Sequence, residues 1–466
     1  MKIKFLPLLG LAFLTANTIS CQRDGVHQEI TKPVTMKAIK LGLNMNTFAS
    51  TYHLVEGDTN ATDKESTVSN LFVFYNVGNS IQFTELKKED LEITPEKKLV
   101  AKKTINLPTN SEIIIIANIS EEQAERFKSS QIFDIGTITG LEELGFSRSE
   151  NDRLNATHIN KAIVMAGITS IDNNLQDNAT IDITLKRGLS KILLKTVESL
   201  VKNETVTIEG GALRNIQAEM RNFKTEIFTG NGFVSNFLHS PFVPIKLNKS
   251  TTKAKDTDAK VFYASENMIA PGTRKDLGVT HFLISADFIP SKITNFNKGK
   301  ITTKDNEDLT TAKTFIYIRI LSEGGGLKHL YFTNLQEAEE FVTGYNEMIK
   351  KELEIALEKG EMSKEQADAF KERVENSFIK TTYTDGKVYY KVYTNGVQNV
   401  ANSIYGIVAN VIYNITITKF EGLGRSQDKI EEEDRDGGDL NPDKNIKVSA
   451  TVEDWQIHDQ DNVLRP

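Results

Sequence analysis

The residues of this 466-residue chain best suited to local chemistry are seven histidines, one cysteine and one dense acidic run. Two imidazoles that grip a metal from a single strand or helix stand at HxH or HxxxH spacing. His27, His53, His158, His239, His281, His329 and His458 offer neither. A lone Cys21 excludes an intramolecular disulfide, a cysteine-based zinc cluster and a redox CxxC pair. No GxSxG elbow, P-loop or GxGxxG fingerprint occurs, and Gly324-Gly325-Gly326 precedes a strand-like run, where a tight turn is the plain meaning. The two acids of a glycosidase need only converge in space, so spacing does not exclude them. Trp455, however, is the one tryptophan and leaves little material for a sugar-stacking platform. These features predict a non-enzyme with no cofactor and no metal centre. The run Glu431-Glu432-Glu433-Asp434-Arg435-Asp436-Gly437-Gly438-Asp439 has two readings: a solvated linker, or a turning loop whose carboxylates take up calcium. The absence of the DxDxDG order favours the linker.

The elements that must position such residues belong to a chain long enough for two or three domains. Its 39% hydrophobic and 26% charged residues are those of a folded protein rather than a disordered tail. With 56 basic against 63 acidic residues, a formal charge of −7, it lacks the basic excess expected of a nucleic-acid binder.

Cys21 ends a different kind of pattern. Lys2 and Lys4 precede the apolar run Phe5 to Leu14, and Thr15-Ala16-Asn17-Thr18-Ile19-Ser20 follows it. A basic start, a short apolar core and a small residue before the cut are the parts of an export signal. The run is shorter than the roughly 18–20 residues that span a bilayer. Cysteine directly after Ser20 resembles a lipobox, in which the cysteine is acylated, although Thr18 stands where leucine is commonest. The alternative is an ordinary signal peptide with an incidental cysteine. The expected mature protein is exported, lipid-tethered and otherwise soluble.

Beyond a polar tether at residues 22–33, Ile39, Leu41, Leu43 and Met45 alternate with Lys40, Gly42 and Asn44, which predicts a strand with one apolar face over Val34–Met45. Further strands are expected at Leu71–Val77, Glu112–Asn118, Ala162–Ala166, Thr180–Leu185 and Ser190–Thr196. The second half adds Val261–Ala264, His281–Phe288, Thr314–Ser322, Leu327–Phe332, Lys387–Tyr393, Ile412–Phe420 and Ile446–Val452. Ile113-Ile114-Ile115-Ile116 reads as a strand buried on both faces. Ser120 with Gln123 predicts a short capped helix. The stretch 334–376, broken at Gly360 and restarted by Ser363 and Gln366, predicts a helical hairpin. Leu353, Ala356 and Leu357 are spaced to cover a sheet face or each other. Many short strands with few helices predict β-sandwich domains.

After the acidic run, Ile446 to Val452 alternates strictly, and the apolar register shifts by one residue before Trp455 and Ile457, as at a bulge. Such a strand closes its own sandwich or adds to another chain's open sheet edge, and the segment can also divide between the two.

These pieces, taken in order, resemble the fimbrillin family, the fimbrial shaft subunits of Porphyromonas and related Bacteroidales. The resemblance rests on Cys21, the early strand Val34–Met45, Leu71-Phe72-Val73-Phe74-Tyr75-Asn76 with Ile114-Ile115-Ile116-Ala117-Asn118, and Lys186-Arg187-Gly188-Leu189-Ser190-Lys191-Ile192. It is most specific at Ile412-Tyr413-Asn414-Ile415-Thr416-Ile417-Thr418, Gly422, Gly424, Val448–Trp455 and Asp459-Gln460-Asp461. The helical hairpin looks like an insertion relative to shorter members.

The resemblance implies a mainly β fold of two tandem transthyretin-like β-sandwich domains. On this chain they would follow a signal at 1–21 and occupy 22–186 and 187–466, the second carrying the helical insertion at about 334–376. It also implies polymerisation. A lipidated precursor reaches the outer membrane, a protease removes the first strand, and the groove receives a C-terminal strand from the next subunit. The strand lost would carry Ile39, Leu41, Leu43 and Met45; the donor would carry Val448, Val452, Trp455 and Ile457. The implied partners are other copies of the chain in a head-to-tail polymer, accessory anchor and tip subunits, the processing protease and, before processing, the outer membrane. The implied role is that of a cell-surface fimbria supporting adhesion and biofilm formation, with a tip or anchor subunit and a glycan-binding surface lipoprotein as alternatives. One departure stands out: in the best-known members an arginine-specific protease cuts just after the first strand, yet no arginine lies between Arg23 and Arg126. Cleavage near Asn46–Tyr52, or at a lysine such as Lys64, would release the strand; an uncleaved strand would make an anchor or terminating subunit.

Overall fold

Short β-branched runs with a two-residue period become, in the computed structural model, mainly antiparallel sheets stacked face to face, with residues 40–44 and 180–184, and residues 191–196 and 412–417, paired parallel. The structure describes residues 34–44, 67–78, 80–94, 99–130, 146–148, 154–159, 162–196, 205–221, 223–229, 232–238, 243–244, 259–265, 267, 278–322, 325–394, 407, 410–437 and 443–454. The fold is mainly β, as expected, with four α-helices among the described residues.

In the first half, one sheet contains β1 (Met36–Asn44), β4 (Leu91–Ile93), β5 (Leu99–Ala101), β6 (Ile105–Pro108) and β11 (Thr180–Thr184), with β1 between β11 on one side and β5 and β6 on the other. The facing sheet runs β3 (Ser80–Lys87), β2 (Asn70–Val77), β7 (Ser111–Ala117), β10 (Met165–Ile171) and β12 (Lys186–Arg187). Ile39, Leu41 and Leu43 meet Leu71, Val73, Ile113 and Ile115 in the core between them. Phe72, Phe74, Ile114 and Ile116 point the other way and join a second core, which explains why all four isoleucines of 113–116 are buried. The helix α1 (Glu121–Ser130) follows, capped as expected: Gln123 N–H donates to Ser120 Oγ at 3.2 Å, and Ser120 N–H donates back to the Gln123 side chain. A small hairpin of β8 (Phe146–Arg148) and β9 (Leu154–Ile159) comes next.

The strand expected at Ala162–Ala166 instead begins at Met165 and runs to Ile171. Residues just before it are diverted from the ladder, because Asn118 Nδ2 donates to Ile163 O at 2.7 Å and Gly188 N–H donates to Val164 O at 2.9 Å.

The chain leaves the first pair of sheets at Arg187 and joins the second at Leu189. There β13 (Leu189–Thr196) lies between β19 (Lys260–Ser265) and β27 (Val411–Phe420), and β28 (Ile446–Asp454) forms the edge beyond β27. The opposing sheet runs β14 (Val206–Ile208), β15 (Gly211–Arg221), β20 (His281–Pro290) and β26 (Lys387–Tyr393), with β18 (Val243–Pro244) also on β15. β16 (Phe223–Thr229) and β17 (Gly232–Leu238) pair with each other. The long strand β15 is invisible to alternation because a bulge between Arg214 and Gln217, where Asn215 adopts a left-handed φ of 49°, shifts its register.

The helical hairpin stands where the sequence places it. α2 (Leu335–Glu358) is capped by Asn334, whose side chain accepts from Glu337 N–H at 3.2 Å. α3 (Lys364–Ser377) starts at the Ser363–Gln366 capping box. Both lie with a ribbon of β21 (Lys292–Asn297) and β22 (Lys300–Asp305) and a sheet of β24 (Leu327–Phe332), β23 (Phe315–Leu321) and β25 (Ile379–Tyr383). The helix residues buried there are Ala338, Phe341, Tyr345 and Val374, with half-buried Val342, Ile349 and Phe370 packed against them. This corrects the expected Leu353, Ala356 and Leu357: the first two are half-buried and Leu357 is exposed, because the base of α2 contacts the sheet and its distal turns extend past it.

Candidate assembly strands

The first strand is held on both edges. Lys40 to Asn44 run parallel to Thr180–Thr184 of β11, while Met36–Ile39 run antiparallel to Ile105–Pro108 and Gly42–Leu43 to Leu99–Val100. Its period of two sends Ile39, Leu41 and Leu43 fully into the core, at about 1.5–3 kcal/mol of burial each. On the other face Lys40 pairs with Glu92 at 3.8 Å, and Lys37, in phase with Ile39 at the start of the strand, donates from Nζ to Asn173 O at 2.8 Å. Met45, the fourth expected plug, lies outside the described residues, as does Cys21. A chain lacking β1 would present two unpaired ladders and three vacated apolar pockets.

The C-terminal strand β28 pairs antiparallel with β27 of its own chain, Val448 opposite Ile417, Ala450 opposite Ile415 and Val452 opposite Tyr413. Tyr413, Ile415 and Ile417 are buried, and half-buried Val448 and Ala450 pack against the same core. The ladder is irregular between Ile417 and Lys419 of β27. The shift expected near Trp455, together with Trp455 and Ile457 themselves, lies outside the described residues.

Between these two strands lies the feature that sequence reasoning misread. As far as Asp436 the acidic run is no linker: residues Gln427–Asp436 form a helix, α4, capped by the Ser426 side chain and anchored by buried Ile430, while Gly438 and Asp439 lie outside the described residues. Two of its carboxylates form ion pairs with distant strands. Glu433 meets Lys391 Nζ of β26 at 2.7 Å and Arg425 Nε at 3.1 Å, and Asp434 meets Arg221 of β15 at 2.6 Å. Burial opposes the charge on Arg221, but Glu219 and Asp434 beside it hold the guanidinium above its usual value. Beyond α4, Asp443 pairs with the Arg425 guanidinium and accepts from Lys391 N–H at 3.2 Å and Asn445 N–H at 3.0 Å. Ser426 followed by Lys429, Ile430 and Glu433 at helical spacing was the local signal; the basic partners at 221 and 391 are far away in sequence and gave none.

The turn before α4 explains two glycines of the resemblance. Tyr390 Oη donates to Gly422 O at 3.0 Å and Tyr383 Oη to Gly424 O at 2.8 Å. A Cβ on Gly424 would come within 2.5 Å of Tyr389 O, so the close approach of the two backbones requires glycine. Burial pushes the phenols of Tyr383 and Tyr390 well above their ordinary range.

Elsewhere, His281 Nδ1 lies 2.8 Å from Val279 O, and His329 Nδ1 lies 2.7 Å from Tyr317 Oη. Among the described residues no cluster of three or more histidines, cysteines or carboxylates could hold a metal, and no helix is long and apolar enough to cross a membrane.

Residues 381–461 match the family model for the major fimbrial subunit protein type IV, fimbrillin, C-terminal. That span begins in β25, includes the glycine turn, α4 and β28, and coincides with the most specific part of the resemblance. No curated protein matches the chain. Among solved structures, the tip fimbrial protein Mfa3 from Porphyromonas gingivalis, with C-terminal truncation, is similar at 12% identity and a TM-score of 0.34 over 90% of this chain and 99% of that one. A fimbrial assembly protein from Parabacteroides distasonis is similar at 14% identity and a TM-score of 0.27 over 64% of this chain and 95% of that one. Likenesses this loose add nothing to the family match.

Proposed function

We infer that this chain, which carries a fimbrillin C-terminal region over residues 381–461, is a structural subunit of a cell-surface fimbria. The observation that carries the reading is the family match over β27, α4 and β28, supported by the pairing and burial of the first strand. β1 contributes three fully buried side chains at a two-residue period and is paired along both edges. An incoming strand of the same pattern would restore the ladders and fill the pockets. Residues beyond Asp454, with Trp455 and Ile457 as anchors, are the proposed donor, while Val448 and Val452 keep the C-terminal strand on its own sheet or follow the donor out. Cys21 would be the lipid tether of an outer-membrane precursor, and Lys186 the border between an N-terminal and a C-terminal domain. The polymer would grow head to tail, meet accessory anchor and tip subunits, and support adhesion and biofilm formation.

A second reading is favoured by the arginine-free stretch between Arg23 and Arg126. If no protease removes β1, the groove stays closed and the chain serves as an anchor or terminating subunit.

N-terminal sequencing of the surface-exposed protein separates the two: a start beyond Met45 supports strand loss, and a start at Cys21 supports an anchor. The shaft reading further expects a heat-resistant ladder of oligomers on denaturing gels, abolished by deleting Asp454–Pro466. Persistent monomer from fully processed protein would overturn it.

A further inference from the structure

The two strands on one side of the second sandwich are treated oppositely. Among the described residues β28 borders its sheet with only β27 as a ladder partner, whereas the outer edge of β26, across the sandwich, is capped. Tyr389 N–H donates to Arg425 O at 2.9 Å, Arg425 N–H returns to Tyr389 O at 2.7 Å, and Lys391 N–H donates to the Asp443 carboxylate at 3.2 Å. All of the capping groups come from residues 425–443, the stretch that links β27 to β28.

The same groups fix where β28 begins. The Asp443 carboxylate holds Asn445 N–H, and Ile446 N–H, the first of the strand, donates to Asp443 O at 3.3 Å. Asn445 O in turn accepts from Glu421 N–H at 2.8 Å, which closes the base of the excursion. Arg425 joins Asp443 to Glu433, Glu433 reaches buried Lys391, and Asp434 reaches Arg221. A surface ion pair would be worth little, but here Lys391 and Asp443 are almost fully buried, so neither can give up its partner to water without cost.

We propose that residues 421–437 and 443–445 are a latch: the Arg425–Glu433–Lys391–Asp443 cluster holds β28 on β27, and its opening frees the C-terminal strand and the edge of β26 together. This rests on the fimbrial reading for its purpose, since a latched strand keeps the C-terminal segment from engaging another subunit prematurely. As a structural statement it stands apart. Opening needs no covalent step, only the loss of ion pairs that share Arg425 and Glu433, so the latch acts as one unit rather than as independent contacts.

The test is amide hydrogen exchange by mass spectrometry on the full, unprocessed chain, comparing wild type with Asp443→Asn. The expected result is at least tenfold faster exchange in residues 446–454 and at Tyr389 and Lys391, with Ser111–Ala117 of the first sandwich unchanged. Unchanged exchange in 446–454, or an equal rise throughout the chain, overturns the latch. Where Asp443→Asn does not fold, Asp434→Asn at the half-exposed outer end should give a smaller rise confined to the same segments, and its absence also overturns the proposal. Lys429→Ala, which breaks only an exposed pair with Glu432, should change nothing. The oligomer ladder is read separately on processed protein. A localised exchange effect without any ladder in wild type defeats the polymer reading and keeps the latch; a wild-type ladder without the exchange effect does the reverse.

Discussion

Lys391 and Glu433 form an ion pair 2.7 Å long in which the lysine side chain is 2% exposed, and the same carboxylate also receives Arg425. Removing either member therefore has unequal consequences. Lys391→Met leaves Glu433 with Arg425 and should cost about 3 kcal/mol, the lower end for breaking a buried pair. Glu433→Leu takes a carboxylate from both Lys391 and Arg425, of which Arg425 keeps Asp443, and should approach about 5 kcal/mol. Urea unfolding at neutral pH measures both, and equal costs would mean that Arg425 does not share the carboxylate.

The glycine turn is tested by Gly424→Ala. Its methyl group would have to displace the Tyr389 carbonyl, which belongs to the bridge with Arg425, so a loss of about 1–3 kcal/mol is expected from the forced backbone shift. Tyr383→Phe, which deletes only the hydrogen bond to Gly424 O, should cost about 1 kcal/mol. Thermal unfolding of the two variants gives the order; a harmless alanine would show that the turn can move away from β26.

What could be read in advance divides along a physical line. Strands with an intact two-residue period, such as β1 and β27, and helices with local caps, such as α3 at Ser363–Gln366, are written in neighbouring residues. β15 is not, because its bulge at Arg214–Gln217 breaks the period on which recognition depends. α4 was misread because a run of like charge is ordinarily solvated; what makes it an anchored helix is one buried residue, Ile430, and cations contributed by β15 and β26. Of the proposed exchange strands, the plugs Ile39, Leu41 and Leu43 were legible as an apolar face, but the pairing of β1 with both β11 and β6 depends on contacts over 60 residues away or more and could come only from the fold.

Alkaline pH should weaken the second sandwich through its buried phenols. Burial raises the pKa of Tyr331, Tyr383 and Tyr390 above the ordinary value near 10, so the native state favours the neutral form more than the unfolded chain does. That contribution is fully present below the ordinary phenol pKa and is lost as pH rises from it towards the native values. Stability measured between about pH 9 and 12 should fall, and Tyr383→Phe should flatten the slope. Ultraviolet titration offers an independent check, because these tyrosines should ionise only as the protein unfolds. A normal phenolate titration in the folded protein would contradict their burial.

The first strand should be replaceable in trans. Leu41→Ala in the intact chain is expected to cost about 2–5 kcal/mol, since the residue is fully buried and central to the strand. A chain cut after Met45 should lose β1, bind a hydrophobic dye at the vacated face, and regain thermal stability when a peptide of residues 36–44 is added. A Leu41→Asp peptide should fail, because its carboxylate would enter an apolar pocket unpaired. The choice of side chain matters here more than the ladder: both peptides offer the same backbone hydrogen bonds, so equal rescue would mean that pairing alone selects the incoming strand, and preference for the leucine peptide would mean that the pockets of Ile39, Leu41 and Leu43 do.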